Sequence, residues 1–253
     1  KTPASNNTVT SVTIPYEVME VQKYAFYNCT ALEKVEFLTN DKNESCKIIR
    51  EFAFANDEKL TDINLDNINM IGHYAFMNCK SLVDANISKV FAIGDRAFMN
   101  CEKLAYADIT NLRNCGVEAF ANCKALTRID NGRYTNFSEG MFKNSGLKEL
   151  KFEADRIPAN CFANCKQLTY VEVYVGANAF NNCNSLEEVK FNDGVGAQFI
   201  YTRAFNNCTS LSKVTLPDSN FDFEEKVFNN CNSLEEIVFN QNTNIVSNHG
   251  TLF

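Results

Sequence analysis

The chain has 253 residues, with 24 Lys and Arg against 31 Asp and Glu, and this acidic balance lacks the basic footprint of a nucleic-acid binder. Apolar residues make up 45% of it, yet no stretch approaches the roughly 18 unbroken apolar residues that a membrane span needs. It contains 21 Phe with no Trp, only 2 His, and 11 Cys in a chain too large to need disulfide staples; repetition explains all of these counts.

In chain order, Lys1 to Asn7 is a polar lead-in of the kind left at the start of a mature, processed or trimmed chain. Val9 to Pro15 is strand-like, and residues 1–17 are expected to be this lead-in plus a partial first coil that covers one edge of the core. The first complete copy of the repeat is Ala25-Phe26-Tyr27-Asn28-Cys29, followed by Leu32, Val35 and Phe37. Its central Phe returns as Phe54, Phe76, Phe98, Phe120, Phe142, Phe162, Phe180, Phe205 and Phe228, at intervals of 28, 22, 22, 22, 22, 20, 18, 25 and 23 residues. Residues 18–239 therefore read as ten repeats, and 240–253 as an incomplete eleventh coil or a cap. No Pro-, Gly- or Ser-rich linker points to a second domain.

Two apolar ladders run through these copies. In the leading ladder, Val35/Phe37 alternate with Lys34 and Glu36, and Ile63/Leu65, Ala85/Ile87, Ala107/Ile109, Leu150/Phe152, Val171/Val173, Val189/Phe191, Val214/Leu216 and Ile237/Phe239 repeat the pattern. A period of two puts the apolar pair on one face of a short strand. The return ladder, five residues before each Phe, is Val21, Ile49, Ile71, Ile93, Cys115, Phe137, Ile157, Val175, Ile200 and Phe223, and predicts a second short strand. The Ala-Phe-x-Asn-Cys segment between them reads as a helical turn. One coil cannot bury its apolar edge alone, so stacking at the ~4.8 Å strand spacing supplies the core.

These residues, Ala-Phe-x-Asn-Cys-x-x-Leu followed by a short strand, resemble the BspA-type (Treponema pallidum-type) leucine-rich repeat from about Val18 to Phe239. The resemblance implies a right-handed leucine-rich-repeat solenoid of short parallel strands and short helical turns. It also implies a secreted or cell-surface protein, bacterial or from a parasitic protist, with adhesion as the leading activity. Asp57 and Ser145 depart from it by replacing Cys, Cys161 replaces the Ala before Phe162, and Asn131 ends the fifth strand where an apolar residue belongs.

The repeated polar residues have structural readings. The ten copies of Asn, from Asn28 to Asn230, are expected to bond the turn backbone of their own and the next coil. Asn28-Cys29-Thr30 and Asn207-Cys208-Thr209 match glycosylation acceptors, with Asn43-Glu44-Ser45 the more accessible match. Cys29, Cys79, Cys101, Cys123, Cys165, Cys183, Cys208 and Cys231 are one per coil and point the same way. That arrangement suits free thiols packed as small hydrophobes better than disulfides or a zinc site. His73 reads as a solvated surface residue and His249 lies in the tail, so no catalytic Cys/His pairing is drawn. No catalytic residue, metal ligand or cofactor is assigned.

The outward positions of the leading ladder remain as the contact surface. They run from Asp62, Asn64 and Asp66 through Asp84, Asn86 and Ser88 to Tyr106, Asp108 and Thr110, then Arg128, Asp130 and Gly132, and later Tyr170, Glu172 and Tyr174. Rigid phenol rings bury area at low entropic cost, so the expected partner-binding patch is Tyr106, Arg128, Tyr170 and Tyr174, flanked by Asp84 and Asp108. The expected partner is an extracellular protein or host-matrix component. A glycan partner, or a spacer with no ligand, stays open; the missing Trp counts mildly against the glycan.

Overall fold

A computed structural model describes residues 7–42, 45–131, 136–151, 157–173, 177–191, 197–248, 250, 251 and 253. It contains strands, turns and no helix among the described residues, and divides into two compact units, Lys1–Asn136 and Phe137–Phe253.

In the first unit the return ladder is one parallel sheet of two-residue strands, Glu20–Val21, Ile48–Ile49, Met70–Ile71, Ala92–Ile93 and Asn114–Cys115. Its leading ladder is interrupted. Ser11–Ile14, Lys34–Phe37 and Asp62–Ile63 pair in parallel, and Tyr106–Ile109 pairs with Arg128–Asn131. The intervening Asp84 to Ser88 makes no strand, although Ala85 and Ile87 are buried. Ala and Asn there pack poorly on a pleated surface, and Asn86 turns its amide oxygen to the Ser88 N–H at 3.2 Å. The strand-like Val9 to Pro15 does pair as a first rung, with Val12 opposite Val35.

In the second unit the leading ladder is continuous: Glu149–Lys151, Tyr170–Val173, Glu188–Phe191, Lys213–Leu216 and Glu236–Phe239 form one parallel sheet. Among the described residues the return ladder is a sheet only from Ala197–Ile200 through Asn220–Phe223 to Asn244–Asn248. Phe137 and Ile157 lie in no strand, and Val175 lies outside the described residues.

The segment expected as a helical turn is a run of tight turns. Ala25, Tyr27 and Cys29 donate their amides to the carbonyls three residues back, at 3.1–3.2 Å. The alternate amides of Tyr24, Phe26 and Asn28 donate instead to Glu51, Ala53 and Ala55 of the next coil, at 2.8–3.1 Å. Two residues per coil stop any helix by adopting positive φ. One lies two before the Phe (Tyr24, Phe52, Tyr74, Arg96, Glu118, Gly140, Asn160, Asn178, Arg203, Lys226), and the other is the repeated Asn, as in Asn100 at 63°. Left-handed residues cannot continue a right-handed helix, and Asn tolerates this region better than most residues.

The core is built of columns. Successive repeat Phe rings stack nearly parallel at 5.1–5.3 Å from Phe26 to Phe120, and at 5.3–5.6 Å from Phe142 to Phe228. The Leu column beside them is fully buried from Leu32 to Leu211. Where the coils of the first unit approach most closely the chain uses glycine: a Cβ on Gly94 would lie 2.4 Å from the His73 amide nitrogen.

Candidate functional site: the strand face and the polar columns

The Asn column is an amide ladder. Asn78 Nδ2 donates to Asn56 Oδ1 at 2.7 Å, Asn100 to Asn78 at 2.6 Å and Asn122 to Asn100 at 2.7 Å. In the second unit Asn182 donates to Asn164 at 2.9 Å, Asn207 to Asn182 and Asn230 to Asn207 at 2.7 Å. In these copies each side chain donates to the preceding coil's amide, because parallel stacking at strand spacing brings identical side chains together. These bonds occupy Asn207 as a glycosylation acceptor, while Asn43 lies outside the described residues. A second, shorter ladder of Asn181, Asn206 and Asn229 runs in the second unit. Its sequence signal, Asn-Asn before Cys in three successive copies, was available.

The eleven cysteines are free. In the thiol column each Sγ from Cys79 to Cys231 donates to the carbonyl of the previous coil's repeat Phe: Cys79 to Phe54 at 3.1 Å, Cys101 to Phe76 at 3.3 Å, Cys183 to Phe162 at 3.2 Å. Burial pushes the thiols from Cys79 to Cys208 up, Cys123 to about 12 and Cys165 to about 11, so they stay protonated donors and poor nucleophiles, whereas the hydrogen bond with Cys208 holds the Cys231 thiol below its ordinary range. Ser145 enters the column in place of a Cys and sits 3.2 Å from Cys165 Sγ. Asp57 does the same in the second coil, where it is 0% exposed. Its Oδ1 accepts the Cys29 amide at 2.7 Å, its Oδ2 has no partner among the described residues, and burial pushes the carboxyl up to about 8. So deeply enclosed a carboxyl meets no substrate. His73 is exposed, and its Nδ1 accepts the Asp95 amide at 3.0 Å.

On the strand face of the first unit, Tyr106 stands opposite Arg128 and Asp108 opposite Asp130 in the parallel register. Tyr106 donates its phenol hydrogen to Asp130 Oδ2 at 2.6 Å. Arg128 donates to both oxygens of the same carboxylate at 3.0 and 2.9 Å and lies 5.2 Å over the Tyr106 ring. The hydrogen bond to Asp130 lifts the Tyr106 phenol to about 12, and that same bond, with Arg128, holds the Asp130 carboxyl below its ordinary range. Asp130 is the member of the cluster that the expected patch leaves out. Its signal was the two-residue alternation that puts it on the face of Arg128.

Asp108 is committed locally, its Oδ1 accepting the Thr110 amide at 3.0 Å and hydroxyl at 2.7 Å. Asn86 one coil earlier and Asn64 two coils earlier close the same turn, their Oδ1 atoms accepting the Ser88 and Asp66 amides respectively. Asp84 is exposed, one coil before Tyr106. In the second unit Tyr170 donates to Glu172 Oε2 at 3.3 Å, and Lys190 bonds the other carboxylate oxygen at 3.3 Å. Tyr174 lies outside the described residues, and Tyr170 and Tyr106 belong to different units.

The pattern of the BspA type leucine rich repeat region, in six copies, matches residues 4–127, 47–169 and 155–250. No curated protein sequence matches. Among solved structures, the pneumococcal vaccine antigen PcpA is similar at 19% identity and a TM-score of 0.51, over 96% of this chain and 66% of its own. A leucine rich cell surface protein from Faecalibacterium prausnitzii is similar at 23% identity over 91% of this chain and 79% of its own, with a TM-score of 0.43. A leucine-rich repeat protein from Bacteroides ovatus is similar at 22% identity over 95% and 82%, with a TM-score of 0.44. The column of stacked Phe rings, the short parallel strands and the match over nearly the whole chain lead to one conclusion: this chain belongs to the BspA-type leucine-rich-repeat family.

Proposed function

We propose that the chain is a non-catalytic binding module of a secreted or cell-surface protein that contacts a protein partner through its strand face. The observation that carries this reading is the Tyr106–Arg128–Asp130 cluster. A phenol and a guanidinium, residue types enriched at binding hot spots, are tied to one carboxylate at 2.6–3.0 Å. Tyr106 remains half-buried and the Arg128 side chain 70% exposed. Such pre-organisation lowers the entropy lost when a partner docks. Membership of a family typified by surface proteins supports the location, and the thiol column is buried in the core, out of reach of a substrate.

The test is saturable binding of the purified, reduced protein to a panel of extracellular-matrix proteins, beside Tyr106→Ala and Arg128→Ala. A matrix protein whose affinity falls tenfold or more in both variants, with unchanged unfolding transitions, supports the reading. Affinity unaltered by either change removes the cluster as the contact, and absence of saturable binding leaves a structural spacer. Tyr170→Ala reports separately on the second unit.

A further inference from the structure

A second surface feature of the first unit lies away from the strand-face cluster, at the corner between leading and return ladders. Asn69, Phe91 and Arg113 occupy one position of three successive coils, and Lys89 and Asn111 precede the last two by two residues. Together they line an open groove of about 510 Å³. Phe91 is 40% exposed there, whereas the repeat Phe of every coil from Phe54 to Phe228 is buried. Lys89 and Arg113 are exposed, and neither makes an ion pair among the described residues, although the chain as a whole carries a net charge of −7. Elsewhere on this unit several basic side chains do face an acid, as Lys34 does Asp62, Arg50 Glu20, Lys80 Glu58, Arg96 Glu118 and Lys124 Glu102.

We infer that this groove is a binding subsite for a carboxylate-bearing sugar, a uronate-type residue of an acidic polysaccharide. Each lining group matches one part of such a ligand. The exposed ring of Phe91 takes the C–H face of a pyranose. Arg113 and Lys89 take the carboxylate, the guanidinium in a two-pronged hydrogen-bonded pair. Asn69 and Asn111 offer amides that can both donate to and accept from hydroxyls. Asn111 is held in place because its Nδ2 donates to Ser88 O at 2.6 Å, which leaves its oxygen to accept. An extended acidic peptide is disfavoured by the backbone. Phe91 N–H is spent on Asn69 O, and Arg113 and Asn114 N–H on Phe91 O, at 3.0–3.1 Å, so no strand can be added and recognition falls to side chains. The groove shares no residue with the strand-face cluster, so the two readings stand or fall separately.

Isothermal titration of the full chain with trigalacturonate tests this, with the carboxyl-reduced neutral trisaccharide and triglutamate as comparators. Saturable binding of trigalacturonate is expected, weakening as salt rises and falling at least tenfold in Lys89→Gln/Arg113→Gln and several-fold in Phe91→Ala. Tyr106→Ala should leave it unchanged. Matched unfolding transitions establish that the variants fold; should Phe91→Ala not fold, Phe91→Leu, which keeps apolar volume and loses the ring, carries that arm. The inference is overturned by no binding of trigalacturonate, by equal binding of the neutral trisaccharide, by equal binding of triglutamate, or by full retention of affinity in the double variant.

Discussion

The two units build the same core with opposite sheets. In the first, the return ladder is continuous and the leading ladder breaks at Asp84 to Ser88; in the second, the leading ladder is continuous and, among the described residues, the return ladder forms a sheet only from Ala197 onward. The strands differ for a reason visible in their residues. Glu188-Val189-Lys190-Phe191 and Lys213-Val214-Thr215-Leu216 each carry two β-branched or aromatic side chains suited to a pleated surface, whereas Asp84-Ala85-Asn86-Ile87 has Ile87 alone beside Asp, Ala and Asn. Yet the Phe column, the Asn ladder and the thiol donors run through both units at matching distances. Sheet hydrogen bonding is therefore the adjustable part of the coil, and the turn with its three columns is the constant part.

The largest expected effect comes from the one coil whose thiol column is broken by an acid. Below the ordinary Asp range the folded and unfolded chains both carry the Asp57 proton. As pH rises the unfolded carboxyl releases its proton first, while the folded one keeps it up to about 8. Stability therefore falls through that window and levels off above it, by a total on the order of 5 kcal/mol. Urea unfolding of the wild type and Asp57→Cys at pH 5 and pH 8 measures this. The wild type should lose ground to the variant as pH rises, and a constant difference would show that the buried carboxyl does not hold its proton. Exposed Glu20 and Asp130, whose carboxyls are lowered, act in the opposite sense but are present in both proteins and cancel.

Next comes the test of whether the core is equal in both units. Phe98→Ala and Phe180→Ala should each cost about 3–5 kcal/mol, because each opens a cavity in a filled column. A much milder loss at Phe180 would mean that the continuous leading sheet of the second unit, and not its Phe column, holds the coils. Asn100→Ala should cost about 1–3 kcal/mol in the same assay, from a broken amide ladder plus a left-handed backbone position. Asn100→Gly keeps that backbone at ease and should cost less; equal losses would assign the whole effect to the ladder. The smallest effect is expected from Cys123→Ala and Cys183→Ala, about 1 kcal/mol each for one weak bond to a Phe carbonyl. A difference between them would break the equivalence of the two units.

Much of this architecture was legible because a repeat writes the same instruction ten times. The Phe, Leu and Cys columns, the stacking and the free thiols follow from spacing, since residues at a fixed interval on parallel coils must meet their own copies. The helical turn was misread because Ala-Phe-x-Asn-Cys has helix-compatible residues, and only inter-coil amide bonding and two left-handed residues per coil make it a chain of turns. Asn was assigned for its hydrogen bonds, and its backbone role at positive φ stayed hidden. On the strand face, alternation placed Tyr106, Arg128 and Asp130 together, but not the choice of Asp130 as the carboxylate that ties the other two.

The sequence by itself determined which residues are repeated and hence which columns form, because periodicity is a one-dimensional property that stacking copies into space. Tertiary structure alone decided the partners across coils. The amide of Asn78 meets Asn56, and among the described residues the Oδ2 of the sealed Asp57 carboxyl has no partner and Lys89 and Arg113, beside an exposed Phe91, make no ion pair. Those outcomes depend on coil lengths, side-chain direction and burial at single positions, and such quantities exist only once neighbouring coils are in contact.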